Sequence, residues 1–169
     1  MRHLLLTFTA MLALAGCERA EPPPAEGPAR IRPVPMIQHF TFDSGGSSHA
    51  EGFAAWHIVL ERPGRLALEH TRNNQTVSHG SHHLTEQRAQ TLWVVVERLP
   101  YQQLAEQAEA SLPREPDEPE YTFTWMIDSQ VRSARLPSTE AQQVPGVDEL
   151  LTLFEPVITE LTGIEASLR

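Results

Sequence analysis

Cys17 is the only cysteine in this chain, and it lies just after an apolar segment, Leu4–Leu14. Arg2 and His3 precede that segment, and a charged start followed by a short apolar run is typical of a secretory signal peptide. The run is too short to cross a bilayer as a permanent helix. With one thiol the chain can form no internal disulfide, and if Cys17 is acylated, neither a cysteine nucleophile nor a cysteine-ligated zinc site is available.

The end of the apolar segment, Leu14-Ala15-Gly16-Cys17, resembles the lipobox of bacterial lipoproteins. In that family the cysteine carries a diacylglyceryl group and becomes the N-terminus once the signal peptide is removed. The resemblance implies a signal peptide over residues 1–16, lipidation of Cys17, and a mature chain without a transmembrane helix that acyl chains hold on a membrane, facing the periplasm. Glu18 replaces the Asp associated with inner-membrane retention, which favours the outer membrane. The alternative is an ordinary signal peptide with a chance cysteine.

Charge and composition divide the rest of the chain into a tether and a domain. The chain has 22 acidic and 13 basic residues and a net charge of −9, which disfavours nucleic acid and anionic lipid headgroups as partners. Residues 17–35 hold the lipidation site and are rich in Pro, Ala, Glu and Arg, with Pro22-Pro23-Pro24 at the centre, which predicts an extended tether. Residues 36–169 have a length suited to one domain with a modest core.

The pattern over residues 36–169 predicts an α+β fold in which antiparallel hairpins pack with a central and a C-terminal helix. Alternation of apolar and polar residues predicts strands over Ile37–Phe42, Phe53–Arg62 and Leu66–His70. Pro63-Gly64 is typical of a turn and predicts that the last two strands form a hairpin.

A second hairpin is predicted in the C-terminal half. Aromatic and β-branched residues favour a strand over Tyr121–Ile127, with Trp125 in the core, and Asp128-Ser129-Gln130 predicts a turn back into Val131–Leu136. The glycine- and serine-rich residues Asp43–Ser48 predict a loop after the first strand.

Helical spacing of apolar residues predicts a helix over residues 86–98, although the β-branched run Val94-Val95-Val96 favours a strand instead. A short helical turn is predicted over residues 102–110. The apolar stripe in residues 147–161 predicts a C-terminal helix, which is expected to bend or split at Pro156 because proline removes a helical hydrogen bond.

Histidines form one local cluster with metal-ligand chemistry: His79, His82 and His83, with His70 upstream. If this segment is helical, His79 and His83 share a face, and their neutral imidazoles could hold Zn²⁺ or Cu²⁺. The glutamate that accompanies paired histidines in zinc proteases is absent. The alternative is a polar, pH-sensitive loop that contains at most a short strand.

Acidic residues concentrate in a proline-punctuated loop over residues 112–120, where Glu115, Asp117, Glu118 and Glu120 are candidates for contact with a partner protein. The alternative is a solvated connection. Nothing in this segment supplies the apolar shelter that separates the pKa values of paired catalytic carboxylates.

The segment Asp43-Ser44-Gly45-Gly46 is similar to the nucleophile segment of trypsin-like serine proteases, but its context differs. In that family the motif follows the catalytic His and Asp, whereas here it opens the domain, and Phe42 stands in place of a glycine. The motif therefore predicts a glycine-rich loop. Without a catalytic arrangement or a nucleotide fingerprint, no enzymatic activity and no cofactor are predicted.

Four features follow one another along the chain: Ser44-Gly45-Gly46, then Leu84-Thr85-Glu86 at a helix start, then Glu120–Thr124, then a leucine-rich C-terminal helix. This order resembles that of the emfourin group of small bacterial inhibitors of thermolysin-like metalloproteases. The likeness covers most of residues 37–162 and implies a shared fold and a role in protease inhibition. Two long loops and the lipid anchor are departures from that group.

Together these features predict a lipid-anchored periplasmic binding module that contacts another envelope protein, with protease inhibition as its most specific form. The alternative function is that of an envelope lipoprotein that handles metal through the histidine-rich segment.

Overall fold

The computed structural model describes residues 36–45, 47–49, 52–110 and 119–168. This part of the chain contains the strands β1 (His39–Asp43), β2 (Ser47–His49), β3 (Gly52–Glu61), β4 (Arg65–Arg72), β5 (Gln75–His83), β6 (Glu120–Ile127) and β7 (Gln130–Pro137). It also contains the helices α1 (Glu86–Arg98), α2 (Tyr101–Ala110), α3 (Ser138–Ala141) and α4 (Val147–Thr162). The predicted α+β class is confirmed.

The strands form one antiparallel sheet in the order β5-β4-β3-β1-β6-β7, and β2 pairs with the beginning of β3. Both predicted hairpins, β3–β4 and β6–β7, are confirmed. Strand β1 pairs with β3 on one side and with β6 on the other, so it joins the two hairpins at the centre of the sheet.

The two faces of the sheet differ because successive side chains of a strand point to opposite faces. The covered face carries the large apolar side chains of the core: Phe40, Phe42, Ile58, Leu60, Leu66, Leu68, Tyr121, Phe123 and Trp125. Helices pack on this face. The ring of Tyr101 in α2 lies 4.6 Å from that of Trp125, and the ring of Phe154 in α4 lies 6.4 Å from that of Phe42. The predicted core position of Trp125 is confirmed.

The open face carries the intervening side chains of the same strands, and most of them are polar or small. In the four central strands they are His39, Thr41, Asp43, His57, Val59, Glu61, Thr122, Thr124, Met126, Arg65, Ala67 and Glu69. All of these except Thr41 are partly or fully exposed.

Helix α1 matches the predicted range of residues 86–98, and the strand alternative is wrong. Thr85 is its N-cap, with the side-chain oxygen accepting a hydrogen bond from the Arg88 N–H at 3.4 Å. Its buried residues are Ala89, Leu92, Trp93, Val95 and Val96. Packing of this face outweighs the weak helix propensity of the valines.

Helix α4 runs without interruption from Val147 to Thr162, so of the predicted bend or split at Pro156 the split is wrong. Buried residues lie on both sides of the proline, including Phe154 and Val157. Their packing holds both halves in one helix although proline donates no hydrogen bond.

Two predicted loops contain strands. Residues 75–83 form the full-length edge strand β5, which follows a two-residue turn at Asn73-Asn74, where both residues have positive φ as in a type I′ hairpin. Asp43 belongs to β1, and Ser47–His49 forms β2 within the predicted loop after it. Backbone hydrogen bonds join these segments to neighbouring strands, and the alternation of apolar and polar side chains does not indicate this pairing.

Candidate binding groove

A groove with a volume of about 690 Å³ opens where the turn between β3 and β4 faces helix α1. It is lined by Met36, Arg62, Pro63, Gly64, His83, Leu84, Glu86, Ala89, Gln90, Trp93, Val94 and Glu97. The turn can approach the helix closely because Gly64 has no side chain: a Cβ at this position would lie 2.6 Å from that of Ala89. The Leu84 N–H also donates a 2.9 Å hydrogen bond to the Gly64 carbonyl, which ties the turn to the start of α1.

The floor of the groove is an arginine stacked on a tryptophan. The guanidinium carbon of Arg62 lies 4.5 Å from the ring centroid of Trp93, within the range of a cation–π contact. Arg62 is held there because its Nε donates to the Ile37 carbonyl at 2.9 Å and its guanidinium pairs with Glu97. Trp93 is only 3% exposed, and the described residues give its indole N–H no acceptor.

Apolar side chains stand exposed at the rim. Met36 is 49% exposed and Val94 is 44% exposed, and both line the groove. Glu86 and Glu97 add acidic groups from α1. Exposed apolar side chains next to charged groups are typical of surfaces that bind another protein.

The predicted histidine cluster is divided by the strand geometry of β5. His83 pairs with Arg65, which places it on the open face of the sheet, and as the last residue of β5 it also borders the groove beside α1. His82 pairs with Leu66, and its Nε2 lies 3.0 Å from the carbonyl oxygen of His79. The helix that would place His79 and His83 on one face is therefore wrong, because these residues belong to a strand.

His79 is the extra residue of a β-bulge, because Gly80 pairs with Leu68 whereas Ser78 pairs with Glu69. Its ring lies 5.8 Å from Trp56, and the ring of His70 stacks on the same tryptophan at 4.4 Å. Burial of His70, together with nearby His79 and Arg72, lowers its pKa. In the part of the chain that the structure describes, no group of three or more His, Cys, Asp or Glu could hold a metal ion.

Of the four predicted contact residues of the acidic loop, Glu115, Asp117 and Glu118 lie outside the described residues. Glu120 is the first residue of β6 rather than part of a loop, and it forms an ion pair with Arg135 of β7. Its side chain is mostly buried. Glu120 therefore belongs to the sheet.

The Asp43-Ser44-Gly45 segment has a structural role. The Asp43 carboxylate lies 2.5 Å from Nδ1 of His57. Ser44, however, is buried, and its hydroxyl oxygen accepts a 2.7 Å hydrogen bond from the backbone N–H of Trp56. Gly45 has a φ of +64°, and a Cβ there would collide with the Glu120 carbonyl. The glycine thus permits close packing of the end of β1 against β6.

Sequence reasoning missed the groove, although α1 carries a signal of it. Val94 falls outside the apolar stripe that predicts this helix, and a large apolar residue beside such a stripe widens the nonpolar surface. The partners of Trp93 come from a distant part of the chain, and no local pattern indicates them.

The predicted lipidation site, Cys17, lies outside the described residues. Within those residues, no helix combines the length and the apolarity that a membrane span requires. A scan against protein-family models and a search of curated proteins both found no match to this chain.

Proposed function

We propose that this protein is a lipid-anchored, non-catalytic binding module of the cell envelope, which holds a segment of another envelope protein in the groove between the β3–β4 turn and α1. The observation that carries the proposal is the exposed apolar rim over the Arg62–Trp93 floor. The anchor rests on the lipobox-like segment that ends in Cys17.

The size and chemistry of the groove support a peptide-like occupant. Its volume falls within the range of about 300–1,000 Å³ that is usual for ligand sites. Trp, Met and Arg are enriched where proteins meet, and Trp93, Met36 and Arg62 all line this groove. Burial of one large apolar side chain against them contributes about 1.5–3 kcal/mol.

The charges of the rim narrow the class of partner. Glu86 and Glu97 line the groove, and Arg62 is already paired with Glu97. A segment that presents an apolar side chain next to a basic residue matches this surface. Because Arg62 is fixed by two contacts before any partner arrives, binding requires little further ordering of the groove floor.

The proposal is tested by capture of partners from an envelope extract on the immobilised full chain. Val94→Arg places a charge on the rim and is expected to lower the amount of retained partner about tenfold, equivalent to about 1.4 kcal/mol. Thr91→Arg is the matched control, because Thr91 is exposed on the same helix but faces α4. Equal retention by the two variants would show that the groove is not the contact.

Protease inhibition is the most specific form of this proposal, and it follows the emfourin resemblance. It predicts that the full chain slows peptide hydrolysis by a thermolysin-like metalloprotease and that Val94→Arg slows it less than Thr91→Arg does. Unchanged hydrolysis in the presence of the wild-type chain would restrict the proposal to binding without inhibition.

A further inference from the structure

The centre of the open face carries four titratable side chains in a regular arrangement. His39 and Asp43 belong to β1, and Glu61 and His57 are their direct neighbours on β3. Nδ1 of His39 lies 3.5 Å from a carboxylate oxygen of Glu61, and Nδ1 of His57 lies 2.5 Å from one of Asp43. These side chains retain between 33% and 44% of their exposure, so they are available to a partner.

Histidines and acids alternate along both strands. Each strand has one histidine and one acid, four residues or about 14 Å apart, and each histidine lies beside an acid of the other strand. Such a two-by-two pattern has a simple property: when a copy is turned over about either axis in the plane of the sheet, every histidine lands above an acid. The pattern is therefore complementary to itself.

The four titratable residues lie on the two middle strands, so the same two-fold rotation also superimposes the outer strands of two copies. In the order β5-β4-β3-β1-β6-β7, strands β3 and β1 are the middle pair, with two strands on each side. A two-fold axis along the strands, between β3 and β1, places β4 over β6 and β5 over β7. The sheets of two copies can then overlap across their full width.

The outer charges of the face also meet no like charge in this arrangement. With the axis along the strands, Arg65 lies over Met126 of the second copy, Glu69 over Thr122, and Arg135 over Ser78. The row between the two charged rows holds only small or medium side chains: Ser133, Thr124, Thr41, Val59, Ala67 and Ser81. It leaves room for two sheets to pack about 10 Å apart.

We propose that the open face is the interface of a homodimer, in which the sheets of two copies of this chain pack face to face. Six strands and three rows of side chains give a contact of roughly 500 Å² per copy, or about 1,000 Å² in total, which is at the lower limit for a specific interface. The dimer is therefore weak in dilute solution. Attachment of both copies to one membrane, which is part of the proposed function, raises their effective concentration.

Charge exchange between copies tests this proposal. The acidic variant carries His39→Glu with His57→Glu, and the basic variant carries Asp43→Arg with Glu61→Arg. Sedimentation velocity of the full chain in a non-ionic detergent is measured near pH 6, below the ordinary pKa of a histidine side chain. The wild-type chain is expected to dimerise, each variant alone to remain monomeric, and an equimolar mixture of the two variants to dimerise again.

A wild-type chain that stays monomeric at every concentration would overturn the proposal, as would variants that dimerise alone or a folded mixture that does not associate. Circular dichroism melting shows whether the variants are folded. If they are not, Thr124→Arg supplies the test, since it places one bulky group in the row of small residues. A folded Thr124→Arg chain that dimerises like the wild type would also overturn the proposal. Val94→Arg alters the groove and leaves the open face unchanged, so loss of the dimer can be distinguished from loss of binding in the groove.

Discussion

Alternate residues of the same strands form the two faces of the sheet, yet the two faces differ in composition and in burial. On β6, Tyr121, Phe123 and Trp125 are buried under the helices, whereas Thr122 and Thr124 between them lie on the open face. The covered face is held by packing of large apolar side chains, and the open face has paired charges and small residues. Within a single strand, this chain therefore separates the residues that form the core from those available for contact.

The largest expected effect is on the covered face. Trp125→Ala should lower the free energy of unfolding by about 3–5 kcal/mol, because Trp125 is 2% exposed and packs on Tyr101. Thr124→Ala, one residue earlier on the open face, is expected to change it by less than about 0.5 kcal/mol. Urea unfolding of both variants measures the difference, and similar losses would contradict the division between the faces.

An intermediate effect is expected from adding volume at two adjacent positions of β7. Ala134 is buried opposite Phe123, and Ser133 lies opposite Thr124 on the open face. Ala134→Val should destabilise the domain by about 1–3 kcal/mol through overpacking. Ser133→Val should be neutral or slightly stabilising, since valine favours strands. A shift of the melting temperature in the same direction for both variants would contradict this expectation.

The smallest effect concerns pH, and its sign differs between His57 and His70. The hydrogen bond to Asp43 raises the pKa of His57 above 6.5, so its stabilising contribution is present below that value and is lost as the pH rises through the folded pKa. Burial lowers the pKa of His70 below 6.5, so its contribution is present above that value and is lost as the pH falls.

His57→Gln and His70→Gln separate these contributions. Unfolding free energies are compared with those of the wild type at about pH 5 and about pH 8, on either side of the ordinary histidine value. The advantage of wild type over His57→Gln should shrink at the higher pH, and its advantage over His70→Gln should shrink at the lower pH. Parallel pH profiles for the two variants would be incompatible with opposite pKa shifts.

The central strands and the long helices could be predicted from the sequence because their buried apolar residues recur with the period of a strand or of a helix. In β6 the aromatic residues at 121, 123 and 125 repeat with period two, and α1 shows the helical repeat from Ala89 to Val96. Strand β5 could not be predicted in full. It is an edge strand with mostly exposed side chains, and its pairing with β4 depends on backbone hydrogen bonds.

The candidate site was beyond sequence reasoning for a different reason. Arg62 pairs with Glu97, 35 positions away, and only the closed fold brings both to Trp93. Histidine spacing indicated a shared site for His79 and His83, but a strand with a bulge directs them differently. Such sites depend on tertiary contacts, and local spacing predicts them only when the local structure is also correct.

The account of the two faces is tested most directly by hydroxyl-radical footprinting of the full chain at low and high protein concentration. In dilute solution Met126 on the open face should be oxidised, while Trp125 beside it should be protected. At high concentration Met126 should become protected as the open faces meet, and Trp125 should not change. Oxidation of Met126 that is equal at both concentrations, or oxidation of Trp125 as rapid as that of Met126, would contradict the account.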